Sequence, residues 1–165
     1  MPRILPDTVL ACVLARALEA AGAPRPASLG LILSGDGELA ALNAAHMGES
    51  GPTDVLSFPL LPPDAFPSHP GRPAGETRAT PVAFVLPPSA RVHVGDIVVS
   101  VERAIAQAQA GAGGQTGDVQ WAPADELRLL VTHGVLHVCG WDHAESVEAS
   151  AMRALERRLR LARGS

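Results

Sequence analysis

The segment that most limits how this chain can fold is PADELRLLVTHGVLHVCGWDH, residues 123–143. Pro123 is tolerated in a first helical turn, and Asp125 and Glu126 suit the positive end of a helix dipole. Gly140 can end the helix in left-handed geometry. Between these signals Leu127, Leu129, Leu130, Val131, Val135, Leu136 and Val138 run round every side of the helix. A helix that is apolar all round must be buried, so the rest of the chain is expected to pack around this one.

Three of the six histidines fall in the same stretch, at 133, 137 and 143. Residues four apart share one helix face with Cβ atoms about 5–6 Å apart, so His133 and His137 can reach one ion together. His143 follows Gly140, where the chain can turn back and offer a third imidazole. A single histidine on a buried helix is more often a hydrogen-bonded core residue, but three would each need a separate buried partner. Metal binding explains the set better. Three nitrogen ligands leave a tetrahedral zinc one position short, the mark of a catalytic site, whereas structural zinc usually takes four protein ligands. Cys139 is a poor fourth ligand, because two positions from His137 it points to another face. The H-x-x-x-H-x-x-G-x-x-H spacing is also that of metzincin proteases. Their general-base glutamate follows the first histidine, and here that position is Gly134, which disfavours peptide hydrolysis.

Around this helix the chain alternates between elements. DTVLACVLARALEAAG reads as a helix closed by Gly22, SLGLILS as a short buried strand, and GDGELAALNAAHMG as a helix with Asp36 as N-cap. DVLSF, between Pro52 and Pro59, and RVHVGDIVVS read as strands, VERAIAQAQAG as a helix before a glycine-rich turn at 111–118, and ESVEASAMRALERRLRLAR as a closing amphipathic helix. Nine of the fifteen prolines lie from Pro59 to Pro88, with VAFVL at 82–86 as the one strand-like piece. Such a segment cannot bury a core of its own. It is read as a long hairpin-like insertion at about 59–90 within a single domain spanning 1–165, either a passive surface loop or a flap over a site.

Composition narrows the function. With 47% hydrophobic and 18% charged residues the chain is globular, and no apolar run reaches the roughly 18 residues a membrane span needs. The N-terminal apolar stretch is interrupted by Pro6, Asp7, Arg16 and Glu19, which fits an amphipathic helix better than a signal peptide. The expected location is the cytoplasm. Cys12 and Cys139 are too few for a disulfide scaffold and are expected to be buried thiols. Lysine is absent, and 13 arginines face 17 acids for a net charge of −4, so any nucleic-acid contact must come from a local patch. Five arginines (153, 157, 158, 160 and 163) lie in the last thirteen residues, where complementing a helix C-terminus is the simplest reading.

HGVLHVCGWDH, PTDVLSFP at 52–59, GDIVVS at 95–100 and the Leu42–Asn43 pair of the second helix occur in an order that resembles the YbeY endoribonucleases, bacterial ribosomal RNA maturation factors. The resemblance runs from about residue 29 to the last helix. It implies an α+β domain, a small mixed sheet packed around the central histidine helix, zincin-like. It also implies one zinc ion per chain on His133, His137 and His143. The implied activity is single-strand-specific RNA cleavage in 16S ribosomal RNA 3′-end maturation and ribosome quality control. Ribosomal RNA and the small ribosomal subunit are the implied partners, with a ribosomal protein and an Era-type GTPase as further candidates, and no membrane.

Under this resemblance TDVLSF and GDIVVS line the cleft beside the metal. Asp142, Asp96 and Ser57 become the catalytic candidates, and Asp54, Ser57 and Arg103 the candidates for holding substrate. Asp142 is favoured for holding a ligand imidazole from outside, and Glu145 is a further proton acceptor. Asp54 and Ser57 could instead cap a turn, and Asp96 could do no more than hold a strand start. The family usually carries an arginine just before its PTDVLSFP block. Here HMGESGPTDVLSFP has Met47 in that region and Glu49 where a basic residue is common. Methionine cannot clamp a phosphate, so Arg91, Arg103 and Arg128 are the candidates to replace that arginine. A ribosome-assembly factor without nuclease activity, using zinc to fix its fold, is the alternative, and a metalloprotease is a third class weakened by Gly134.

Overall fold

The structure is a computed structural model that describes residues 1–51, 53–72, 87, 89–111 and 121–162. In chain order the elements are α1 (Asp7–Ala20), β1 (Ala27–Ser34), α2 (Asp36–Met47), β2 (Val55–Pro59), a 3-10 turn at Pro63–Ala65, β3 (Val92–Ser100), α3 (Val101–Gln109), α4 (Pro123–Val138) and α5 (Ser146–Leu161). The α+β architecture expected from the sequence is present. VAFVL at 82–86 and most of the glycine-rich turn lie outside the described residues.

The three strands form one mixed sheet in the order β1-β3-β2. β3 is central, parallel to β1 and antiparallel to β2, with Ser57 opposite Ile97 and Phe58 opposite Asp96. Being paired on both edges, β3 is buried almost throughout from Val94 to Ser100, as its run of Val and Ile anticipates. α4 lies across one face of this sheet. Leu127, Val131, Val135, Leu136 and Val138 are each at most 1% exposed. Burial of such a side chain is worth about 1.5–3 kcal/mol. The helix approaches so closely at Gly134 that a Cβ there would stand 3.0 Å from Val55 Cγ2 and 3.2 Å from Ile97 Cγ2. Gly134 is therefore a packing residue, and the glutamate of a metzincin would have no room on this face.

α1 covers the outer side of the core through Leu10, Ala17 and Ala21. Cys12 sits about 160° round the helix from these residues. It is exposed, against the expectation of a buried thiol, while Cys139 is buried and its thiol is pushed up to about 12 by that burial. Gly35, not Asp36, occupies the cap of α2. Asp36 opens the helix instead and accepts hydrogen bonds from Ser100 Oγ (2.7 Å) and Arg103 Nε (3.2 Å). Among the described residues no helix is long and apolar enough to cross a membrane.

Candidate metal centre

One turn of α4 separates His133 from His137 and brings their Nε2 atoms to 3.0 Å, with the rings nearly perpendicular. Two ligands on a tetrahedral ion with bonds of about 2.0–2.1 Å would stand roughly 3.3 Å apart, so this spacing fits a shared metal. Beyond α4 the chain reverses at Gly140 (φ +88°), a left-handed position that favours glycine. The amides of Gly140 and Trp141 donate to His137 and Leu136 carbonyls, and the turn delivers His143, whose ring centroid lies 5.0 Å from that of His137 and 5.5 Å from that of His133. One donor atom from each of the three rings falls within 4.8 Å of the others. The three histidines could hold a metal ion.

The surroundings prepare these rings as ligands. His133 Nδ1 lies 2.6 Å from Glu156 Oε1 of α5, an arrangement that holds the proton on Nδ1 and leaves Nε2 to face the cluster. Burial pushes the His137 imidazole below its ordinary range, and the neighbouring His133 and His143 push it the same way, against opposing effects from the Trp141 backbone and Asp142. The neutral ring this favours is the form that binds metal. Behind His143, Glu148 Oε1 accepts from the Asp142 amide (2.8 Å) and contacts His69 Nε2 (2.7 Å). The His69 ring stacks on Trp141 at 3.7 Å, and Arg72 Nη1 donates to the Gly140 carbonyl at 2.9 Å. The described start of the Pro-rich insertion is thus a brace against the ligand turn, a role between the passive loop and the flap considered from composition.

The other sequence candidates scatter. Ser57 reaches the histidine helix from β2, donating to the Gly134 carbonyl at 3.0 Å. Asp96 neighbours Ile97 on β3, and since Ile97 faces Gly134, alternation turns Asp96 to the opposite sheet face. There it pairs with His93 at 3.1 Å and lies over Gly30, so it stands away from the metal cluster. Asp54 accepts from the Val55 amide and from Gln107 Nε2, tying β2 to α3. Arg103 is held by Asp36, and Arg128 lies 3.6 Å from Asp125. Neither is the free cation the sequence reading sought. Asp142 Oδ1 accepts the His143 amide at 2.7 Å. Holding an imidazole from outside falls to Glu156, which the sequence reading missed. Its only cue was one acid among the arginines of ALERRLR, twenty-three residues from the ring it touches.

Replacing Glu156 by glutamine keeps the size of the side chain and removes the charge. Metal affinity measured by chelator competition should fall about 10–100-fold, with helix content unchanged. An unaltered affinity would remove Glu156 from the centre.

Three comparisons with known proteins show what the chain is similar to. The family described as Endoribonuclease YbeY matches residues 7–162. The Endoribonuclease YbeY of Salinispora tropica is 41% identical over 153 residues, covering 93% of this chain and 84% of that protein. The Endoribonuclease YbeY of Roseiflexus sp. is 35% identical over 140 residues, covering 84% and 72%. The solution structure of a Thermotoga maritima protein, 20% identical, superposes with a TM-score of 0.50 over 92% of this chain and 79% of that one, a likeness of fold. With two histidines on a buried helix and a third brought to them by the turn that follows it, this chain belongs to the YbeY endoribonuclease family.

Proposed function

We propose that the chain is a zinc-dependent endoribonuclease that cuts single-stranded RNA, acting in the cytoplasm on the 3′ end of 16S ribosomal RNA within the small ribosomal subunit. The observation that carries this reading is the convergence of His133, His137 and His143 with Glu156 behind the first of them, in a chain of an endoribonuclease family. Zinc bound there supplies Lewis-acid polarisation of a phosphoryl oxygen and a water of lowered pKa. The residues of the chain do the rest. Glu156 keeps the His133 proton on Nδ1, burial keeps His137 neutral, and the Gly140–Asp142 turn holds His143 in place. Asp142 and Glu145, in the exposed turn beside His143, are the proton acceptors we assign, and Asp96 is set aside because it lies on the opposite sheet face.

Purified protein should cleave a single-stranded RNA and leave a duplex of the same sequence intact. Chelation should abolish the cleavage and added zinc restore it. Full metal loading with no RNA cleavage would sink the nuclease reading. The alternative would then lead: an assembly factor whose zinc fixes the fold, a reading that Met47, exposed where the family carries arginine, already favours.

A further inference from the structure

The proposed nuclease needs a cation to hold the RNA backbone beside the histidines, and α2 offers the exposed thioether of Met47 in its place. Most of the described arginines are committed elsewhere. Arg3, Arg25, Arg103 and Arg128 face carboxylates, Arg16 and Arg72 donate to the Ala162 and Gly140 carbonyls, and Arg160 lies over the Trp121 ring. Among the described residues, Arg91, Arg153, Arg157 and Arg158 have no such partner. Arg91 precedes β3 and stands six residues from Ile97, the strand position beneath Gly134, which is about 20 Å along a strand. It is too distant to serve.

The remaining three belong to α5, and Glu156 fixes their orientation. At about 100° per residue, the buried Met152 and Leu155 and the half-buried Leu159 all lie on one side of Glu156, toward the core. Arg153 and Arg157 lie about 60° and 100° round the helix on the other side, and both are exposed. The surface of α5 therefore runs from core, through the carboxylate on His133, to an open edge bearing two free guanidiniums. Arg158 lies roughly 160° away and lines a separate groove with Glu19 and Pro67.

We propose that Arg153 and Arg157 hold the phosphates of the RNA strand that crosses the three-histidine cluster, taking the place of the missing arginine near Met47. This rests on the nuclease reading. Guanidiniums suit the task because two parallel N–H groups can clamp one phosphate, and on a net acidic chain a paired local cation is what can attract RNA at all.

The test is binding of a short fluorescein-labelled, nuclease-resistant 2′-O-methyl oligouridylate to the metal-loaded protein, followed by anisotropy over a range of salt concentrations. Arg153→Gln with Arg157→Gln should weaken binding roughly tenfold and flatten the slope of log affinity against log salt by about 1.4, two phosphate contacts at about 0.7 each. Metal content and melting temperature should not move, because both side chains are exposed. Arg158→Gln should bind as the unchanged chain does. Unchanged affinity and slope in the double variant, or an equal loss in Arg158→Gln, would overturn the inference while leaving the nuclease reading standing. Failure of the unchanged chain both to bind and to cleave RNA would remove the nuclease reading and this inference with it.

Discussion

Purified His137→Ala protein should carry no stoichiometric metal, where the unchanged chain carries about one ion. His137 sits between the other two ligands: its Nε2 is 3.0 Å from that of His133, and its ring lies next to that of His143. Two imidazoles one turn apart would be replaced by a single helical ligand and one from an exposed turn, too few for a tight zinc site. The effect should extend to stability. A metal held by the three histidines would join α4 to the segment after Gly140, so an ion at a hundredfold excess over its Kd would add about 2.7 kcal/mol to the folded state. His137→Ala and chelated unchanged protein should therefore melt at similar, lowered temperatures. Full metal occupancy in the variant lacking all three histidines would place the site elsewhere.

Glu148→Ala should lower the melting temperature by roughly 5–20 °C, at about 2–4 °C per kcal/mol for a chain of this size. Glu148 Oε1 meets two donors, His69 Nε2 at 2.7 Å and the Asp142 amide at 2.8 Å, and the His69 and Glu148 side chains are each 7% exposed. Removing the carboxylate strands both donors, at about 1–3 kcal/mol each. His69→Phe keeps a flat ring on Trp141 and should cost less, since the Asp142 amide retains its partner. A pH dependence follows. Burial pushes the Glu148 carboxyl up, but the His69 hydrogen bond, the Asp142 amide and the His69 charge together outweigh it and hold the group below its ordinary 4.5. A depressed carboxyl stabilises the fold fully above its unfolded value and loses that contribution as pH falls through the folded one. The gap in melting temperature between the unchanged chain and Glu148→Ala should thus narrow below about pH 4.5. A gap that is absent at neutral pH, or constant through the acid range, would remove the brace from the account.

Much of the fold was legible in order and type. Pro123, Gly140 and the all-round apolar run marked α4 with its ends, and short apolar runs, the second bounded by prolines, marked β1, β2 and β3 to within a residue or two, because these signals act within a turn or a few residues of the chain. The cluster that could hold a metal was legible for the same reason: His133 and His137 are neighbours on any helix, and Gly140 reverses the chain before His143. The surroundings of Asp96, Asp54 and Arg103 were not legible, for the opposite reason. They lie in motifs that run beside the site, but which face of a strand points toward α4, and which carboxylate an arginine meets, depend on how separate elements pack. The β1-β3-β2 order, Gly134 pressed on Ile97, Glu156 behind His133 and His69 stacked on Trp141 join residues between 23 and 72 positions apart. Local propensity carries no information over such distances. Near neighbours in the chain thus fix which residues could bind a metal and where the helix carrying His133 and His137 begins and ends. The packing of separate elements settles which carboxylate lies against His133 and which arginines are left without a carboxylate partner among the described residues, because burial and pairing arise between elements and not within them.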